Sequence, residues 1–260
     1  MSIIVMKFGG TSVADIDCIK NVAQKVVNQY KKNKKIVVVV SAMSGATDSL
    51  VNLTNQISEK RNLEEYDVVV SSGEQVTAGL LAMAISDLSV KSRSLMGWQI
   101  PIITDDTHYK AIIENISNTN IFTLLNNEEI VVIPGFQGVT SENRISTLGR
   151  GGSDTSAVAI AASIKAERCD IYTDVDGVYT ADPRMVPKAK KLKKISYEEM
   201  LEMASQGAKV LQTRSVALAM KNKLKINVLS SFEDKEGTFV VDEEEIMEKN
   251  IVSGIAFSLE

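Results

Sequence analysis

The sequence predicts a layered α/β fold built on a mostly parallel sheet. Three observations lead there. Strand-like and helix-like segments alternate along the 260 residues. KIVVVVS (35–41) is a continuous apolar, β-branched run, the pattern of a strand buried on both faces. Glycine-rich and hydroxyl-rich stretches stand just after strands, where open α/β sheets bind their ligands.

In chain order, SIIVMKF (2–8) reads as a short apolar strand. ADIDCIKNVAQKVVNQYKK (14–32) places Ile16, Ile19, Val22, Ala23, Val26, Val27 and Tyr30 at helical spacing. After the KIVVVVS strand, DSLVNLTNQISEK (48–60) and EQVTAGLLAMAISDL (74–88) read as helices. KSRSLMG (91–97), EIVVIPGF (129–136), RCDIYTDV (168–175) and KINVLSS (225–231) read as further strands. SAVAIAASIKA (156–166), YEEMLEMA (197–204) and KVLQTRSVALAMKN (209–222) read as helices between or near them. There is no internal repeat. The one shift in composition is the acidic DEEEIMEK (242–249), a short helix or a linker.

A chain of 260 residues makes one large domain or two closely joined lobes. With 44% hydrophobic and 24% charged residues it has the composition of a soluble globular protein. A net charge of −4 argues against a nucleic-acid partner, and KAKKLKK (188–194) reads as a solvated surface. The two cysteines, Cys18 and Cys169, form no metal-binding cluster, and they fit a reducing cytoplasm. MSIIVMKFGG lacks the basic lead and long apolar run of a signal peptide. No apolar stretch is expected to span a membrane. The single histidine, His108, lies in a polar loop, where nothing supports a Ser-His-Asp mechanism.

Neither GxxxxGKS/T nor GxGxxG is present, so the P-loop and dinucleotide fingerprints are excluded. Other stretches carry candidate chemistry, each with a plainer alternative. In KFGGTS, Lys7 ends a strand, and Gly9–Gly10 let the backbone approach an anion; a glycine pair there also makes a simple turn. SAMSGATD offers Ser41, Gly45 and Thr47 to a phosphate or substrate oxygen, or an ST-turn with Thr47 or Asp48 capping the next helix. In SSGEQVTAG, Glu74 is a binding acid or a first-turn acid favoured by the helix dipole. TLGRGGSD (147–154) runs three glycines into a helix, as phosphate cradles do, yet holds Arg150 and Asp154; Ser153 and Asp154 also serve as ordinary N-caps. TDVDGVYTADPR (173–184) is a loop whose Tyr179 and Arg184 contact a nucleotide or only solvent.

Taken jointly and in order, KFGGTSV, VVSAMSGATD, SSGE, GFQG, TLGRGGSD, TDVDGVYTADPR and GAKVLQTRSV resemble the aspartate kinases of the amino acid kinase family. The resemblance runs from residue 3 to about residue 230. It implies an αβα sandwich around a mainly parallel sheet of about eight strands. It implies a catalytic domain over residues 1–245, with an N-terminal aspartate lobe and a C-terminal ATP lobe. The implied reaction moves the γ-phosphoryl of MgATP to the side-chain carboxylate of L-aspartate, the first step toward lysine, threonine and methionine. Lys7 would stabilise the transferring phosphoryl, with Gly9 and Gly10 as backbone donors and Ser41 and Ser153 near the phosphates. Thr47, Glu74 and Arg150 would bind aspartate. Thr173, Asp174, Tyr179, Arg184 and Lys209 would hold ATP. Asp154 would aim Lys7 and help place Mg²⁺ rather than act as a base, since the nucleophile is a carboxylate already ionised at neutral pH. Within the resemblance, residues 246–260 are a linker followed by the first strand of an ACT domain, so the chain is an excised catalytic domain or a shortened form. A homo-oligomer is compatible with this. The rival readings are another amino acid kinase with a different acceptor, and a catalytically silent nucleotide-binding module.

Overall fold

In the computed structural model, which describes residues 2–32, 34–58, 60, 62–207, 210–246 and 254, the two apolar runs nearest the N-terminus form the middle of the sheet. Ile3–Phe8 (β1) pairs in parallel with Lys35–Val40 (β2) on one side and with Arg168–Thr173 (β9, in the chain-order numbering used below) on the other. Side chains alternate across the pleat. Ile4, Met6 and Phe8 therefore face one layer and Val5 the opposite one.

The first layer is Ile16–Tyr30 (α1) and the C-terminal half of Leu63–Asp87 (α3). Asp15 caps α1 by accepting from the Cys18 N–H, and the expected stripe packs inward except Ile16, which stays exposed, and the half-buried Tyr30. Ala46–Ile57 (α2) lies outside on α3 and buries none of its residues. The second layer comprises Thr119–Asn126 (α4), Gly152–Ser163 (α5), Tyr197–Ser205 (α6) and Thr213–Lys221 (α7). Helix α5 is buried continuously from Gly152 to Ala161, which its small residues permit.

The remaining strands of the main sheet are Ser92–Ser94 (β3), Ile130–Pro134 (β6), Lys194–Ser196 (β10), Ile226–Ser230 (β11) and Thr238–Val241 (β12). The order is β10-β12-β11-β9-β1-β2-β6-β3, parallel throughout except between β11 and β12. This is an αβα sandwich on an eight-stranded, mainly parallel sheet. A second sheet was not expected: Ile102–Thr104 (β4), Ile113–Ile116 (β5), Gln137–Val139 (β7) and Ile145–Thr147 (β8) pair in the order β5-β4-β7-β8.

Several local expectations are corrected. Helix α3 begins at Leu63, so Glu74 lies mid-helix and is not a first-turn acid. Neither Thr47 nor Asp48 caps α2, and neither Ser153 nor Asp154 caps α5; the caps are Gly45 and Gly151, both left-handed, and the other residues lie within the first turns. Contrary to the sequence reading, α3 has the length and apolar composition to cross a membrane; half of its most apolar stretch is buried inside this fold. Lys209, expected to bind ATP, and residues 250–253 and 255–260 of the expected first ACT strand lie outside the described residues.

Candidate active site

Parallel strands end together at one edge of the sheet, and the connections leaving that edge enclose a cavity of about 500 Å³. It is lined by Lys7, Gly10, Ser41, Thr47, Glu74, Arg150, Ser153 and Asp154, and by Phe136 and Gln212.

Lys7 shares the pleat side of Val5, so its stem points to the α5 layer. Its ammonium meets Asp154 Oδ1 at 2.7 Å, and both residues are buried. Apart from this ion pair, Asp154 Oδ1 has no hydrogen-bond partner among the described residues. Asp154 stands in the first turn of α5, where the backbone presents free N–H groups and the positive end of the helix dipole.

Glu74 reaches the cavity from α3, which comes so close to the segment after β2 that a methyl on Gly73 would lie 2.9 Å from the Ala42 Cβ. Glu74 Oε1 accepts the Ala42 N–H at 3.1 Å, whereas Oε2 is buried with no hydrogen-bond partner among the described residues. Burial pushes its carboxyl up to about 7, against the smaller opposing effect of the Ala42 N–H. Arg150 is exposed above the cavity. The loop that carries it is bounded by Gly149 and Gly151 at φ 74° and 71°. A side chain at Gly151 would also run into Gln212.

Phe136 and Gln212 escaped the sequence reading. Phe136 adopts φ 70°, a rare conformation for an aromatic residue, and packs against Gly152 at the start of α5. The only hint in the sequence was its place in GFQG after a strand. Gln212 precedes α7, and only the tertiary fold brings it over Gly151.

The other candidate residues lie beside this cavity rather than on it. Gly9 donates its N–H to the Tyr172 carbonyl at 3.4 Å, and a methyl there would sit 3.3 Å from the Lys7 ammonium. Its geometry therefore leaves room for Lys7 rather than offering a free donor. Thr173 ends β9, the strand next to β1, and bonds to Asp174 at 3.0 Å. In the loop that follows, Tyr179 donates to Asp176 and the exposed Arg184 pairs with Asp182. Lys191, in the lysine-rich run, pairs with Asp176. Among the described residues no cluster of three or more His, Cys, Asp or Glu side chains can hold a metal ion.

Comparison with known proteins agrees with this fold. The chain is 50% identical over 259 residues to an aspartokinase of Rickettsia felis, covering 98% of this chain and 65% of that one. It thus spans just under two thirds of that relative's length. Among solved structures, an aspartate kinase from Synechocystis superposes with a TM-score of 0.82 at 44% identity, over 92% of this chain and 40% of the other. E. coli aspartokinase III, solved with aspartate and ADP, gives 0.84 at 29% identity, over 92% of this chain and 64% of the other. The model of the amino acid kinase family matches residues 2–230, from the start of β1 to the end of β11 and so across the whole edge that forms the cavity, and the chain belongs to that family.

Proposed function

We propose that the chain transfers the γ-phosphoryl group of ATP to the side-chain carboxylate of L-aspartate, giving ADP and 4-phospho-L-aspartate. The observation that carries this reading is the charge layout of one cavity: a buried carboxylate oxygen of Glu74 without a hydrogen-bond partner among the described residues, an exposed Arg150, and the Lys7–Asp154 pair. An amino acid presents one ammonium and one carboxylate, which suit Glu74 and Arg150 in turn. The side-chain carboxylate then faces Lys7, with Thr47 beside it.

The aspartate oxygen forms a bond to the γ-phosphorus as the bond to the β–γ bridging oxygen breaks. The electron pair leaves on ADP. The attacking carboxylate is already ionised near pH 7, so no general base is required. Lys7 offsets charge on the transferring group, and the free N–H groups at the start of α5 and the Gly10 and Ser41 segments line the phosphate path. Asp154 holds the ammonium of Lys7 in line. The nucleotide extends past β9, toward Thr173, Asp174, Tyr179 and Arg184. Magnesium bound with ATP would neutralise charge on the phosphates; among the described residues no cluster of three acids would cage it, and Asp154 would help hold it. Residues 1–245 constitute this catalytic unit. Its setting is cytoplasmic, a reading supported by two free cysteines.

The test is release of ADP in a coupled assay with MgATP and a panel of acceptors: L-aspartate, L-glutamate, N-acetyl-L-glutamate and UMP. Turnover should require L-aspartate. Turnover with UMP or N-acetyl-L-glutamate in its place would overturn the assignment, and turnover with none would favour a silent nucleotide-binding module.

A further inference from the structure

Asp67 is completely buried, and it lies on α3 seven residues before Glu74. That spacing is about two helical turns, so the two acids share a face of one helix. Asp67 accepts from four donors on two segments. Thr147 gives its hydroxyl at 2.6 Å and its N–H at 3.0 Å. The 108–109 turn gives His108 Nδ1 at 2.8 Å and the Tyr109 N–H at 3.0 Å. Replacing buried ionic groups by apolar packing is often neutral for stability, so burial alone does not account for a carboxylate at this position. Here its bonds have a direction: Thr147 is the residue from which the Leu148–Gly149–Arg150 loop departs.

The opposite side of that loop is also held. Arg214, from α7, donates to the Leu148 carbonyl at 3.0 Å and to the Ala111 carbonyl at 2.8 Å. The Ala111 N–H in turn bonds the Thr147 carbonyl at 2.9 Å. Gly149 rests on the same turn, so close that a methyl there would lie 3.1 Å from the Tyr109 carbonyl.

We propose that Asp67 is a positioning residue for substrate recognition: by gripping Thr147 and the 108–109 turn, it sets where Arg150 stands relative to Glu74, and so fixes the spacing between the two charges that receive an amino acid's carboxylate and ammonium. The assignment rests on the aspartate kinase reading above. It gives α3 two parts, one acid that meets the substrate and one that places the opposing charge.

The experiment is steady-state kinetics of the full chain, varying L-aspartate and ATP separately, for wild type, Asp67→Asn, Thr147→Val, Thr147→Ser and Ser146→Ala. Asp67→Asn and Thr147→Val are expected to raise KM for aspartate about tenfold, the usual scale for losing a hydrogen bond to a charged group. KM for ATP should stay within about twofold, since the contacts removed are all to the Arg150 loop and its neighbouring turn. Thr147→Ser keeps the hydroxyl and should restore wild-type KM. Ser146→Ala breaks the neighbouring buried bond to Thr104, which does not reach Asp67, and should lower thermal stability without moving KM. If Asp67→Asn does not fold, the Thr147 pair decides. An unchanged KM for aspartate in Thr147→Val, or an equal rise for both substrates, would overturn the assignment while leaving the function standing. A wild-type protein with no aspartate-dependent turnover would instead overturn the functional reading, and the assignment with it.

Discussion

Lys7 and Asp154 meet at 2.7 Å although one ends the central strand and the other opens a helix of the second layer. The pair joins the sheet to the helix N-terminus at the point where the proposed phosphoryl transfer takes place. Lys7→Met should therefore leave a folded protein whose turnover falls by about 10²–10³, the scale of losing one transition-state donor. Circular dichroism checks the fold and the coupled assay checks the rate. Near-wild-type turnover would remove Lys7 from the mechanism.

Asp154→Asn should be severely impaired at every pH. Asparagine keeps the shape and removes the charge that holds Lys7. An orienting group cannot be replaced by a diffusing base, whereas a proton acceptor often can. Recovery of rate on adding small buffer bases would return proton abstraction to Asp154.

Arg150→Ala should act on aspartate and spare the nucleotide. Losing a charge-assisted bond costs about 1.5–3 kcal/mol, or roughly 10–100-fold in KM for aspartate. Calorimetric titration with a non-hydrolysable ATP analogue provides the comparison. Weakened nucleotide binding with aspartate unaffected would place Arg150 on the phosphate side.

Glu74 gives the protein a pH dependence of defined sign. Its carboxyl lies at about 7 in the fold against 4.5 ordinarily, so between these values the folded chain keeps a proton that the unfolded chain releases. The stability linked to that proton is fully present below pH 4.5 and is lost as pH rises through 7, about 3 kcal/mol in all. Without substrate, the melting temperature of wild type should drop relative to Glu74→Gln between pH 5 and pH 8. An ammonium prefers the ionised form, so KM for aspartate should fall over the same rise in pH. Parallel melting curves for the two proteins would show that Glu74 does not carry the effect.

Gly151→Ala should damage both stability and turnover. An L side chain at φ 71° costs about 1 kcal/mol or more, and here it also meets Gln212. A lowered melting temperature together with a reduced rate is expected; Gly79→Ala, inside α3 with open space around it, is the control, which should hold the rate and gain about 0.5–1 kcal/mol of stability. Equal behaviour of the two variants would mean that the loop tolerates another path.

The sequence marked β1, β2, β3, β6, β9 and β11 as strands; the clearest were β1, β2 and β6, whose near-continuous apolar runs record burial on both faces. The second sheet was not legible. Its strands are three or four residues long, and β7 falls within a GFQG stretch that reads as a turn. Helix α3 was entered eleven residues late because SSG resembles a break, when Gly73 in fact lets the helix approach Ala42. Motifs drew attention to Lys7, Glu74, Arg150 and Asp154, all of which reach one cavity. Asp67 and Gln212 had no such signal, since their significance depends on which distant loops the fold delivers to them.

The position of β1 has a consequence for biosynthesis. It needs β2 on one edge and β9 on the other, and β9 is translated only after the connections and helices that lie between. Until then the strand bearing Lys7 presents an unpaired apolar edge, open to mispairing with other nascent chains. The central lysine is thus synthesised well before α5 and β9 yet reaches its working geometry only when they have emerged, so a translation product ending between β2 and β9 would expose sheet edge without possessing a finished site.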